Sequence, residues 1–238
     1  MLKPCAYLHN MESDGAINNP RYQGYLQKAP SFIRTDAERL TNFIKQFIRY
    51  GDAGQVMFEI DNGKIGNAAD FNGKDTSIVA YNINNYGFND SGTIVLWVKF
   101  AEDYDSYDSD FRIFEIDQNN RLSFDVSHDR LTWTTYSPVP QYNSVNTDTN
   151  SIQWPADEWH MIAVNWRISD GLQEIYIDGV LSTKPAIDFN WHYYIITDVD
   201  LTSWTSVKLN DYGGDWEYDG YLDDFRIYDA VLSFAQIK

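Results

Sequence analysis

Few residues in this sequence are spaced for chemistry, and the spacing excludes most reactions. The densest run of oxygen donors is Glu102-Asp103-Tyr104-Asp105-Ser106-Tyr107-Asp108-Ser109-Asp110. A helix-loop-helix calcium loop needs Gly at its sixth position and Glu at its twelfth. Counted from Asp103, those positions hold Asp108 and Phe114, so the run reads as a solvated acidic turn. His9, His128, His160 and His192 are scattered, with none of the close pairing or Cys companions of a zinc site. Cys5 is the single cysteine; it excludes an intrachain disulfide and reads as a small buried residue. The late loops have another composition: Asn190-Trp191-His192-Tyr193-Tyr194, and Asn210-Asp211-Tyr212-Gly213-Gly214-Asp215-Trp216-Glu217-Tyr218. Sugars present apolar C–H faces and hydroxyl edges, so their sites pair exposed rings with Asp and Asn. Trp216, Tyr212, Trp191, Asp215 and Asn210 are the expected ligand-binding residues. The alternative is that these rings only cap the fold.

Charge narrows the partner. The 238 residues carry 18 Lys+Arg against 35 Asp+Glu, so the net charge is 18 − 35 = −17. No basic cluster exists to displace counterions from a nucleic acid or to bind an anionic membrane surface. Neutral polar ligands and divalent cations fit better. No stretch is apolar and long enough to insert in a membrane. The first ten residues lack a signal-peptide pattern. An extracellular or virion-surface location is therefore expected by a route without a visible leader, with the cytoplasm as the alternative.

The elements that must position these residues are strands. Ser91–Phe100 is rich in β-branched and aromatic residues and follows the Asn89-Asp90-Ser91-Gly92 turn. Further strands are expected over 111–116, 121–126, 130–136, 159–167, 173–177, 180–184, 204–209 and 221–228. Asp178-Gly179 predicts a type I′ hairpin turn. Residues 137–158, with three Pro, read as a long loop. Strands at regular spacing imply a two-sheet sandwich. One helix is expected: Thr35-Asp-Ala-Glu38 is a capping box, and Leu40, Phe43, Ile44, Phe47 and Ile48 form an apolar stripe. It reads as a cover for the sandwich, with a docking element as the alternative.

Four motifs then occur in order. Gly63-Lys-Ile-Gly66-Asn67-Ala68-Ala-Asp-Phe71-Asn72-Gly73, Ile94-Val-Leu-Trp97-Val98, Trp159-His160-Met-Ile-Ala-Val with Ile175-Tyr176-Ile177-Asp178-Gly179, and Gly220-Tyr-Leu-Asp223-Asp224-Phe-Arg226-Ile-Tyr228 resemble the motif strands of laminin-G-like, concanavalin-A-like jelly rolls. Ala6–Glu12 corresponds to the first strand of that family, and the helix looks like an insertion. The resemblance implies a single all-β, two-sheet antiparallel jelly roll over 1–238, with an inserted loop and amphipathic helix at about 13–51. Trp97 and Trp159 are expected to fill the inter-sheet core.

The resemblance also implies two sites to test. Members that hydrolyse β-glucans carry Glu-x-Asp followed by a second Glu two or three residues on. Here Glu115-Ile116-Asp117 is followed by Asn119 and Asn120, and an amide cannot protonate a leaving group. No catalysis is expected there. A structural Ca²⁺ commonly joins the first strand region to the closing strand, which places Asp223 and Asp14 as ligands. The functional expectation is a non-enzymatic recognition module for a glycan or cell-surface partner, with display on a virion as one setting. The alternative is a capsid or tail decoration subunit that contacts other virion subunits and binds no sugar, with a carbohydrate-active enzyme as a third reading.

Overall fold

The computed structural model describes residues 6–8, 57–64, 66–72, 78–81, 90–107, 110–116, 120–136, 142–148, 151–185, 206–210 and 218–237. Two antiparallel sheets face each other. The first runs β12 (Val180–Leu181), β11 (Leu172–Ile177), β10 (His160–Arg167), β5 (Ser91–Phe100), β15 (Asp219–Tyr228), β3 (Gly66–Asn72) and β2 (Met57–Gly63). The edge of β15 that pairs with β3 through Asp219–Leu222 pairs further along, through Phe225–Ile227, with β1 (Ala6–Leu8). The second sheet runs β13 (Lys184–Pro185), β9 (Tyr142–Asn146), β8 (Arg130–Tyr136), β7 (Asn120–Asp125), β6 (Phe111–Ile116), β14 (Ser206–Leu209) and β4 (Ile78–Tyr81). The expected jelly-roll sandwich is therefore present. The Asp178-Gly179 turn has φ of +50° and +76°, as a type I′ hairpin requires. The helix expected over 35–49 lies outside the described residues.

Strand alternation decides which side chains form the core. From β5, Ile94, Leu96, Val98 and Phe100 enter the sandwich and meet Phe111, Phe114, Phe124 and Leu131 of the second sheet. The same alternation turns Trp97 outward, which corrects the expectation that it fills the core. Trp97 is half-buried and packs on a separate cluster on the outer face of the first sheet. Trp159 shares its parity with Met161 and Ala163 of that outer cluster and is also only half-buried. The indoles that join the sheets are Trp133 and Trp166, fully buried with ring centroids 6.0 Å apart, together with Trp154.

Two further expectations change. The strand expected over 180–184 divides, because β12 stays in the first sheet while Lys184–Pro185 pairs with β9 in the second. Pro185 has no N–H to offer, and an edge strand asks for none on its open side. The loop expected over 137–158 contains β9. Only Val145 among its residues is aliphatic and buried, so the alternation was hidden by a polar outer face.

The C-terminal segment closes part of the outer face of the first sheet. Leu232 and Ile237, the latter ending α1 (Phe234–Ile237), pack with Val95, Met161, Ala163, Tyr176 and Tyr228. Thr93 and Asn165, paired across β5 and β10, hold its backbone. Leu232 N–H donates to Thr93 Oγ1 at 2.9 Å, and Asn165 Nδ2 donates to the Leu232 carbonyl at 3.0 Å. Two polar residues without exposure are thereby satisfied.

Candidate glycan-binding site at one end of the sandwich

One end of the sandwich gathers the base of the loop that the sequence marks for sugar binding. β14 ends at Leu209, just before Asn210, and β15 begins at Asp219, just after Tyr218, so segment 211–217 connects the second sheet to the first. Asn210, at φ +53° and 4% exposed, closes this span. Its Nδ2 donates to the Tyr218 carbonyl at 3.1 Å, and its Oδ1 accepts the Tyr218 N–H at 2.5 Å. The Asn210 amide is thus spent on the Tyr218 backbone, tying together the two ends of segment 211–217. Trp216, Tyr212, Asp215 and Trp191 lie outside the described residues, as does Asp14.

Tyr218 carries the brace into the core. Its ring is fully buried against Phe71, Phe100 and Phe111, and its hydroxyl donates to the Lys99 carbonyl at 2.5 Å. Burial pushes its hydroxyl well above the usual tyrosine range, so it remains a donor. Gly220, at φ +149°, lets the chain pass this point. A Cβ there would lie 2.3 Å from the Lys99 carbonyl and 2.6 Å from the Tyr218 hydroxyl. Nearby backbone ties the end together: Ala101 N–H donates to the Asp219 carbonyl at 3.4 Å, Asp157 N–H to that of Phe100 at 3.2 Å, and Tyr104 N–H to that of Trp154 at 3.1 Å. The Tyr107 hydroxyl adds a bond to the Asp219 carbonyl at 2.6 Å.

The outer side of this end holds a cation between two rings. Lys99, 5% exposed, places its Nζ 4.4 Å from the Tyr221 ring centroid and 5.3 Å from that of Trp159, with Asp157 at 3.8 Å. Lys64 stands 4.3 Å over Trp97 on the same face. Sequence reasoning missed this group because it assigned Trp159 to the core. The parity shared by Lys99 and Trp97 along β5 was the signal that could have found it. Below, Trp154 stacks on the His160 imidazole at 4.1 Å, and His160 Nδ1 lies 2.8 Å from Asp178 Oδ2. His160 thus caps Trp154 and is pinned to the hairpin turn.

The expectation about catalysis rests on Glu115. It lies on the outer face of the second sheet and is 3% exposed. Arg112 Nη1 is 2.7 Å from its Oε2, and Arg121 and Lys208 stand opposite it on the neighbouring strands. This buried carboxylate is therefore engaged in an ion pair within its own sheet. Asn120 uses its Nδ2 to cap the Ile116 carbonyl at 3.3 Å. Around Glu115, the cross-strand neighbours on this face are Lys208, Arg121, Thr134 and Ser144, which supply no second carboxylate.

Asp223 is fully buried at a β-bulge in β15. Its Oδ1 accepts the N–H of Asp224 at 2.7 Å, where Asp224 has φ +51°. The Asp224 carboxylate is itself held by two nitrogens of Arg226. Among the described residues no three acidic, His or Cys side chains converge as a metal cage. The donors present fit calcium in part: one buried carboxylate at a bulge, with a guanidinium already on its neighbour.

A family model described as the concanavalin A-like lectin/glucanases superfamily matches residues 71–238. The chain belongs to that superfamily. No curated protein matches. Several solved structures share the superfamily fold with this chain. The binding domain of botulinum neurotoxin serotype D has a TM-score of 0.58 at 18% identity, covering 79% of this chain and 44% of that one. The serotype D ligand-binding domain in complex with N-acetylneuraminic acid gives 0.54 at 18% identity, with the same coverage. The type G receptor-binding domain gives 0.51 at 16%, covering 79% and 44%. The chain spans less than half the length of these structures, and at such identity they establish its fold. Among the described residues no helix is long and apolar enough to cross a membrane.

Proposed function

We propose that this superfamily member is a non-enzymatic recognition module that binds a glycan or a glycan-bearing cell-surface partner through loop 211–217. The observation that carries the reading is the Asn210–Tyr218 clamp. It ties together the two ends of segment 211–217, whose composition, Tyr212, Asp215 and Trp216 around Gly213-Gly214, suits sugar stacking. The botulinum domains, one of them complexed with N-acetylneuraminic acid, support a surface-binding role for this fold. The ion-paired Glu115 supports the absence of hydrolysis. An extracellular or virion-surface setting follows from this reading, because glycan partners are presented there. A structural Ca²⁺ held partly by Asp223, with Asp14 as the second acidic ligand, is part of the same proposal.

A glycan array tests it. Binding that is lost in Trp216→Ala and Tyr212→Ala, with melting temperature retained, supports the reading. Failure of the wild type to bind any glycan, with and without EDTA, overturns it.

A further inference from the structure

His160 opens β10 with its two ring nitrogens in unequal surroundings. Nδ1 lies 2.8 Å from Asp178 Oδ2, in the turn between β11 and β12. An ionised carboxylate only accepts, so Nδ1 carries the proton of that bond. In the neutral imidazole Nε2 is then a bare lone pair. It is buried, and among the described residues no hydrogen-bond donor reaches it. Glu158 Oε2 stands 3.9 Å from it, beyond hydrogen-bond reach, so two acceptors face each other. The ring lies flat on Trp154, with centroids 4.1 Å and planes 13° apart. Val98, opposite His160 on β5, is apolar. The other charges nearby act through these partners. Asp157 is ion-paired to Lys99 at 3.8 Å beside Glu158, and Lys64 acts on Asp178 from the β2–β3 hairpin.

We infer that His160 is a proton-operated latch that draws Glu158 and Asp178 onto one imidazolium when the pH falls. A proton taken from solvent onto Nε2 turns the facing acceptors into a donor and an acceptor, and no covalent bond between heavy atoms changes. Glu158 is the part free to move, since its side chain is 61% exposed while that of His160 is 16% exposed and held by Trp154 and Asp178. The closed latch ties segment 154–159 to the Asp178-Gly179 turn. That segment is already fastened by Ala156 N–H to Asp103 Oδ1 at 2.8 Å and by Asp157 N–H to the Phe100 carbonyl at 3.2 Å. Phe100 pairs with Gly220, just past Tyr218, so the latch acts at the end of the sandwich that holds segment 211–217. The contact exists only in the protonated form. Its stabilisation is therefore present at low pH and lost as the pH rises, the reverse of the Asp178 carboxylate. This holds whatever segment 211–217 binds.

The test is a double-mutant cycle on the full chain, with urea unfolding of wild type, His160→Gln, Glu158→Gln and the double variant at about pH 5.5 and about pH 8.5, on either side of the range in which histidine titrates. A favourable coupling of about threefold in the folding equilibrium is expected at the lower pH, a scale set by the exposure of Glu158, and none at the higher. Deuterium uptake over 154–160, corrected for the intrinsic effect of pH on exchange, should slow at the lower pH in wild type and not in Glu158→Gln. Should His160→Gln fail to fold, Glu158→Gln alone decides, because its stability deficit must then be larger at the lower pH than at the higher. Coupling that is equal at both pH values, or absent at both, overturns the inference and leaves His160 a cap for Trp154. A Glu158→Gln deficit that does not change with pH overturns it as well.

Discussion

Asn210 and Tyr218 exchange two hydrogen bonds, side chain to backbone, at 3.1 and 2.5 Å across the base of loop 211–217. One buried amide thus does what a strand pair does elsewhere, holding the end of one strand in register with the start of another. Asn is suited to it twice over: its side chain offers both a donor and an acceptor, and it tolerates the positive φ observed here.

Removing this brace should cost both stability and binding. Asn210→Ala strands a buried backbone donor and a buried acceptor, at about 1–3 kcal/mol for each group left unsatisfied. Thermal melting should show the loss, and glycan titration should show weaker binding even at temperatures where the variant is folded. Asn210→Asp keeps the acceptor, loses the donor and buries a charge, so it should not rescue either property. Full affinity in a folded Asn210→Ala would show that the loop is not positioned from its base.

The Lys99 ammonium should contribute through the rings beside it. Lys99→Met keeps the apolar stem and removes the charge from between Tyr221 and Trp159. Cation–π contacts of this kind are worth about 0.5–2 kcal/mol. The variant should be destabilised within that range, and the Trp159 contribution to indole fluorescence should shift. An unchanged spectrum would mean that the cation does not rest on the indole in solution.

The fold was legible because its devices are local. The Asp178-Gly179 turn, the alternation of 91–100 and the order of the four motifs each constrain the chain within a few residues. The outer face was misread for a related reason. Periodicity says that Trp97 and Val98 lie on opposite faces but not which face is inside, and residue size favoured the indole. The inside was set instead by Ile94, Leu96, Val98 and Phe100, a continuous apolar row, whereas the Trp97 row also contains Thr93 and Lys99. Strand β9 escaped notice because a sheet with a polar outer face needs only one inward aliphatic residue from a five-residue strand. At the candidate site, composition alone singles out segment 211–217. The bracing role of Asn210 needed coordinates, since the sequence shows an Asn before a Gly-Gly turn and not the carbonyl it reaches.

Glu115 should be structural. Glu115→Gln removes the charge facing Arg112, whose side chain is 11% exposed, and should destabilise the chain by about 1–3 kcal/mol. Incubation with β-glucan should release no reducing ends from the wild type or the variant. Turnover by the wild type that disappears in Glu115→Gln would assign catalysis to this carboxylate, and turnover that persists would place it elsewhere.

Calcium should raise the melting temperature if Asp223 and Asp14 hold it. At a free concentration about 100 times the dissociation constant, binding to the native state alone adds about 2.7 kcal/mol. For a chain of this size that corresponds to about 5–11 °C. EDTA should reverse the gain, and Asp223→Asn should abolish it. A melting temperature indifferent to both ion and chelator would leave Asp223 with its bulge-capping bond to Asp224 as its role.

Acid should weaken the hairpin that carries the Asp178-Gly179 turn. Burial by itself would raise the Asp178 carboxyl, but the hydrogen bonds from His160 and the Met161 N–H outweigh it and hold its pKa below the ordinary value. A carboxylate with a depressed folded pKa contributes stability above its unfolded value, about 3.9, and loses it as the pH falls through the folded value. Asp178→Asn keeps the positive-φ turn and an acceptor for Met161, yet removes the titration. Wild type should therefore exceed Asp178→Asn in melting temperature at neutral pH, and the two curves should converge below about pH 4. Asp125, held low by Ser127, His128 and Arg130 against the opposing effect of burial, titrates in the same window. Both proteins should therefore still lose stability in acid, and the Asp178 share is the difference between them. Parallel curves down to low pH would mean that the Asp178 carboxylate gains nothing from His160 in the folded state.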